Sequence, residues 1–217
     1  MSKRFLIILA VLVAGFAGFI IFQGKKDTPN STNNSSSSAG SEHKQGAGNK
    51  SVTLVEYGDF QCPSCASYYA IIKEVKDKYK DDITFQFKHF PLTQIHNNAM
   101  AAHRAAEASG KQNKFWEMHD LLYERQTIWG TNQNVVQIME DYATELGLNV
   151  EQFKSDYQSS SVNDIINSDI SSGNSFQITG TPSFLLNGEK IDNPEQSIDA
   201  FSKIIDEAIA KSQNSAQ

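Results

Sequence analysis

Hydrophobic and polar positions divide this chain into three stretches of different character. Residues 5–22 read FLIILAVLVAGFAGFIIF, without one charged or strongly polar side chain. As a helix, that run covers about 27 Å, close to the thickness of a hydrocarbon core. Residues 23–50 are Ser, Asn, Gly and Lys with almost nothing apolar, including Ser35 to Ser38 in a row. Such a composition buries too little surface to offset ordering entropy, so a disordered polar linker is expected there, with a reach of roughly 30 Å. From Val52 onward the pattern is that of a folded body. Val52–Tyr57 is a short β-branched and apolar run, and Ile83–Phe90 alternates Ile83, Phe85, Phe87 and His89 with polar partners. Both read as strands, and between them Ala66, Tyr69, Ile72, Val75 and Tyr79 recur at helical spacing within Pro63–Lys80.

Residues 97–175 lack strand signals and carry helical stretches at Ala99–Ser109, Phe115–Tyr123, Val135–Leu146 and Val162–Ser172, punctuated by Gly110, Gly130, Gly147 and Gly173. The chain then returns to strand-like residues at Ser183–Leu186 and Glu189–Asp192, joined by Asn187-Gly188, a strong hairpin signal. A helix from Pro194 to Ala210 follows. The order β-α-β, helical block, β-β-α specifies an α/β domain over residues 51–217 with a helical insertion at about 97–175.

Charge narrows the function classes. Residues 51–217 hold 13 Lys and Arg against 23 Asp and Glu, a balance that repels phosphate backbones and argues against nucleic-acid binding. At the amino terminus, Lys3 and Arg4 precede the apolar run and Lys25 and Lys26 follow it. No Ala-x-Ala cleavage site and no lipidatable cysteine follow, so the expectation is an uncleaved membrane anchor, with a cleaved signal peptide as the alternative.

The chain has two cysteines, Cys62 and Cys65, in Cys62-Pro63-Ser64-Cys65 at the junction of the first strand and first helix. Two thiols cannot build a multi-bridge scaffold, and their spacing points to chemistry. At the helix N-cap, with Pro63 as first helical residue, the Cys62 thiolate would face the unpaired N–H groups of Ser64 and Cys65 and the positive end of the helix dipole. That makes Cys62 the nucleophile, and Cys65, one turn on, the residue that resolves a mixed disulfide. A zinc site built on the cysteines would need four ligands, and His43, His89, His96, His103 and His119 include no paired knuckle. His96 and His103, seven apart, could share a helix face, but nothing ties them to the cysteines. Glu56 interrupts an otherwise apolar strand six residues before Cys62. If buried, its carboxyl would have a raised pKa and could exchange protons with Cys65; if on an edge strand, it would reach water.

Four motifs in sequence resemble the DsbA family, within it the membrane-anchored, Gram-positive BdbD-like branch. They are Val55 to Cys65 (VEYGDFQCPSC), Lys88-His89-Phe90-Pro91, Phe115-Trp116-Glu117-Met118-His119 and Gly180-Thr181-Pro182-Ser183-Phe184. The resemblance covers residues 51–211. It implies a thioredoxin-like fold with an inserted helical subdomain, and a cis-proline at Pro182, preceded by Thr181, lying against the cysteines. It further implies disulfide exchange with exported cysteine-containing client proteins outside the cytoplasm, re-oxidation by a membrane partner of the DsbB/BdbC type, and no metal or organic cofactor beyond the Cys62–Cys65 disulfide. Ser64 stands where the best-known enterobacterial member has a histidine and brings no positive charge to the thiolate, which leaves the oxidising strength open. His89 and the Phe115–His119 cluster read as core packing. Two rival functions use the same residues: a reductase or isomerase, or a non-enzymatic substrate-binding chaperone with a structural disulfide.

Overall fold

A computed structural model describes residues 40–215. The apolar run at 5–22 and the first part of the polar stretch lie outside them. Five strands form one sheet in the order β1-β3-β2-β4-β5: β1 Lys44–Gln45, β2 Val52–Gly58, β3 Ile83–His89, β4 Ser183–Leu186 and β5 Glu189–Ile191. β2 and β3 are parallel, paired from Val52↔Ile83 to Gly58↔His89. The other pairings are antiparallel. Parallel neighbours need a crossover connection, and helix α1, Pro63–Lys78, supplies it. β4 and β5 form the hairpin expected from Asn187-Gly188, with φ of 52° and 83° at the two turn residues, the left-handed values a tight type I′ turn requires.

Between β3 and β4 stand six helices: α2 Ala99–Gly110, α3 Phe115–Glu124, α4 Gln126–Trp129, α5 Val135–Glu145, α6 Val150–Tyr157 and α7 Ser160–Ser175. Helix α8, Ile198–Ser215, closes the described chain. The architecture is the expected thioredoxin-like α/β fold with its helical insertion. The short α4 and α6 carry too few periodic apolar positions to announce themselves in sequence. The last helix starts at Ile198 rather than Pro194, because Asn193 and Pro194 serve as loop: Asn193 Nδ2 donates to the Pro182 carbonyl at 2.7 Å and the Pro194 carbonyl accepts from Tyr68 Oη.

The main core packs α1, α8 and the helical block against one sheet face through Leu54, Ile72, Val75, Phe85, Phe87, Met118, Leu122 and Phe201. Tyr57, Phe90, Ile178 and Leu185 form a smaller cluster of their own. Each such large side chain contributes roughly 1.5–3 kcal/mol on burial. In α1 the buried stripe is Cys65, Tyr68, Ile72 and Val75, rotated from the stripe the apolar spacing suggested, with Ala66 and Tyr69 only partly covered. The rotation places Cys65 on the core side of its helix.

The boundary of the folded body differs from the sequence expectation. Residues 40–50, assigned above to the disordered linker, belong to the domain. Lys44 and Gln45 pair with Gln86 and Phe85 on β3. Ser41 is 2 % exposed: its N–H donates to Asp169 Oδ1 at 3.0 Å, its hydroxyl donates to the same carboxylate, and its carbonyl accepts from Gln86 and Lys88. Ala47, Gly48, Asn49 and Lys50 donate backbone N–H groups to carbonyls of Lys80–Ile83. Composition misled because this segment is held by polar groups meeting polar groups rather than by apolar burial.

Candidate active site

The turn from β2 into α1 sets the geometry. Gly58 ends β2, and a Cβ there would come within 2.5 Å of the Phe87 ring and 2.9 Å of Tyr123 Oη, so only glycine fits. Cys62 is the N-cap of α1 with extended backbone (φ −71°, ψ 121°), and Pro63 is the first helical residue. Cys62 is 7 % exposed, and its thiol donates to the Thr181 carbonyl at 3.3 Å rather than capping the helix. Cys65 is fully buried, and its sulfur accepts the Asp59 N–H at 3.5 Å. Both cysteines are free thiols.

The two thiols differ sharply in acidity. Cys62 is lowered from an ordinary 9.0 to about 5, chiefly by a hydrogen bond from the Cys65 thiol, with further help from Thr181 and the backbone N–H groups of Cys65 and Ser64, against the cost of burial. Once ionised, Cys62 turns from donor to acceptor and those helix N–H groups become its partners. Cys65 is raised well above the usual range by burial first, then by its hydrogen bond to Cys62 and the nearby Glu56. The Thr181 hydroxyl is buried without a partner while Cys62 is a thiol.

Thr181 and Pro182 immediately precede β4, the peptide between them is cis, and the loop lies against Cys62 through the Thr181 carbonyl. Glu56 is on β2, which is central in the sheet, and is 3 % exposed; the edge-strand alternative does not hold. Burial raises its carboxyl to about 8, opposed by Lys76 and assisted by Cys62. Ser64 is exposed and contributes its backbone N–H to the Cys62 thiolate. The six residues Glu56, Cys62, Ser64, Cys65, Thr181 and Pro182 therefore share one neighbourhood, drawn from β2, the start of α1 and the loop before β4.

Two glutamines that the sequence did not single out hold this neighbourhood to the helical block. Gln126 on α4 donates to the Phe60 and Cys62 carbonyls at 2.7 and 3.0 Å. Gln61 donates to the Gly130 carbonyl and accepts the Asn98 N–H. No local pattern marks such bonds, which join residues more than thirty positions apart. His96 lies in the loop before α2 rather than on the helix with His103, yet both reach Asp59, at 2.7 and 3.7 Å. His89 and His119 are buried.

The thioredoxin family profile (Thioredoxin_4) matches residues 38–207. The chain belongs to the thioredoxin family. Among solved thioredoxin-like structures it is similar to oxidised BdbD from Bacillus subtilis, with TM-score 0.67 at 22% identity over 77% of this chain and 92% of that one. It is also similar to α-DsbA1 from Wolbachia pipientis, with TM-score 0.69 at 19% identity over 80% and 94% of the two chains. A thioredoxin-like oxidoreductase from Silicibacter pomeroyi gives TM-score 0.64 at 23% identity, covering 76% and 91%. Curated relatives by sequence carry another name: the Na(+)/H(+) antiporter NhaA 1 of Mycolicibacterium gilvum is 34% identical over 156 residues, 70% of this chain. The chain spans about a quarter of the length of the curated relatives it matches. Among the described residues no helix is long and apolar enough to cross a membrane.

Proposed function

We propose that this thioredoxin-family chain is a DsbA-type thiol:disulfide oxidoreductase that introduces disulfide bonds into exported proteins through Cys62-Pro63-Ser64-Cys65. The observation that carries the reading is the split between the cysteines: a nucleophile held at about 5 at a helix N-cap beside Thr181, and a buried partner raised far above it. Structural thiols have no use for that asymmetry.

In the oxidising direction a client thiolate attacks Cys62 Sγ of the Cys62–Cys65 disulfide, and Cys65 departs and takes up a proton. Glu56, protonated at neutral pH with its pKa near 8, is the donor we assign. A second client thiolate then attacks the client sulfur of the mixed disulfide, and Cys62 leaves as a stable thiolate. Two client thiols have become a disulfide and the site has become a dithiol. A low leaving-group pKa favours this release and stabilises the reduced site, the property of an oxidant. Exchange needs no metal or organic cofactor. We assign the apolar run at residues 5–22 as an anchor that keeps the domain outside the cytoplasm, beside a membrane re-oxidising partner of the DsbB/BdbC type.

The test is equilibration of the chain with glutathione buffers, together with oxidation of a reduced, unfolded client. The expected midpoint lies nearer the roughly −120 mV of DsbA than the roughly −270 mV of thioredoxin. Cys62→Ser should abolish client oxidation, and Cys65→Ser should accumulate a mixed disulfide through Cys62. A midpoint at the thioredoxin end would replace the oxidase reading with the reductase.

A further inference from the structure

Apart from the cysteines, a second chemical cluster lies where β1, β3 and α2 meet. His43, just before β1, His89 at the end of β3 and Glu107 on α2 place their ligand atoms within 4.8 Å of one another. Glu107 Oε1 stands 2.5 Å from His43 Nε2 and 2.6 Å from His89 Nε2. Glu107 is 3 % exposed, and although burial opposes ionisation, its bonds to the two histidines hold the carboxyl below the usual range. His43 retains 17 % side-chain exposure and so provides an approach from solvent.

The wiring behind this cluster supplies a second observation. Where His89 carries a single hydrogen, on Nε2 toward Glu107, its Nδ1 is a bare acceptor. At the 2.6 Å contact between His89 Nδ1 and His103 Nδ1 the hydrogen must then come from His103. That leaves His103 Nε2 bare, and this fully buried nitrogen faces Asp59 Oδ1 at 3.7 Å with no hydrogen-bond partner. A lone pair directed at a carboxylate is an unfavourable arrangement in a dry core.

We propose that His43, His89 and Glu107 bind one divalent transition-metal ion of the zinc class. A cation coordinated by His89 Nε2 moves that ring's hydrogen to Nδ1, which donates to His103 Nδ1, and the His103 hydrogen shifts to Nε2, where Asp59 accepts it. His43, whose Nε2 donates to Glu107 in the metal-free state, likewise moves its hydrogen to Nδ1, so each hydrogen changes position on its own ring, no proton is released, and the unpartnered nitrogen is satisfied. Ligating histidines commonly donate their other N–H to such a second layer. Two imidazoles and a carboxylate suit zinc, cobalt or nickel rather than the all-oxygen preference of calcium and magnesium. Zinc bonds of about 2.0–2.2 Å in tetrahedral array set ligand atoms roughly 3.3 Å apart, so the two hydrogen-bonded separations need open by less than about 1 Å, while the two histidine nitrogens, within 4.8 Å of each other, draw together. Three protein ligands leave one position for water. The ion would clip the segment around His43 to the body of the domain.

The proposal is independent of the redox reading, and its test removes the thiols. The full chain carrying Cys62→Ser and Cys65→Ser is titrated with zinc and, separately, with cobalt(II), calcium and magnesium. Expected results are one zinc per chain, a cobalt spectrum with ligand-field bands and no thiolate charge transfer, a zinc-dependent rise in Tm, and little response to calcium or magnesium. Imidazole ¹H–¹⁵N spectra should show His103 changing from the Nδ1-H to the Nε2-H tautomer on zinc addition. Glu107→Gln and the more exposed His43→Gln, each introduced into the thiol-free chain and checked for folding by circular dichroism, should lose at least tenfold in zinc affinity. Absence of zinc binding in the folded thiol-free chain, or undiminished affinity in folded His43→Gln, would overturn the assignment.

Discussion

Glu56 is one carboxyl whose surroundings make a pH-dependent prediction. Buried in a central strand, it keeps its proton up to about pH 8, while in the unfolded chain it ionises near the ordinary 4.5. Between those values the native state binds the extra proton, so raising the pH costs stability at about 1.4 kcal/mol per unit. Above pH 8 the slope vanishes. Glu56→Gln should therefore match the parent near pH 4.5 and be progressively more stable toward pH 8, by several kcal/mol, in urea titrations of the oxidised protein. Equal midpoints at pH 5 and pH 8 in both proteins would show that Glu56 is not a buried acid. The sequence disclosed the oddity of Glu56, an acid inside an apolar run, because that contrast is local. It disclosed Cys62 and Cys65 for the same reason, the strand, turn and helix signals all lying within fifteen residues of the motif. It did not disclose Gln126 or the pairing of Ser41 with Asp169, which lie 64 and 128 positions from their partners, since polar residues far apart in the chain carry no mark of whom they will meet.

At the scale of elements, the segment from Gly40 to Lys50 behaves as part of the scaffold beneath the site. Asp169 is fully buried and also accepts from Lys88 Nζ and the His89 N–H at 2.9 and 3.0 Å, so Ser41 completes a cluster whose other members sit on β3 and α7. A version trimmed to begin at Ser51 removes Ser41, leaving buried polar groups of Asp169, Gln86 and Lys88 short of partners at roughly 1–3 kcal/mol each. Compared with a version beginning at Ser38, it should unfold at a markedly lower urea concentration. Coincident unfolding curves would mean that residues 40–50 contribute nothing. Hydropathy places the boundary at Val52, where apolar residues begin, because pattern reading detects apolar burial and is blind to a polar clasp. The strands and the long helices, whose information is periodic, are where pattern and fold agree most closely.

For the whole molecule, the Cys62 thiolate links redox state to folding. Its folded pKa near 5 lies below the ordinary 9.0, so the reduced native state is stabilised above pH 9 in full and loses that contribution as pH falls through 5. The oxidised protein has no thiolate to stabilise. Reduced protein should accordingly unfold at higher denaturant than oxidised at pH 7, with the gap narrowing toward pH 5; a gap independent of pH would detach the thiolate from the difference. The sheet has a separate consequence for a protein proposed to handle unfolded chains. Among the described residues its outermost strands are the two-residue β1 and the three-residue β5, too short to template another chain. A client passing over the molecule finds almost no open ladder to extend, and the risk of co-aggregation that long bare strands would carry is kept low. Under the proposed function, that leaves the Thr181–Pro182 loop beside Cys62 as the place where a client would be held, and such a client would be released when its sulfur chemistry is done rather than retained as an added strand.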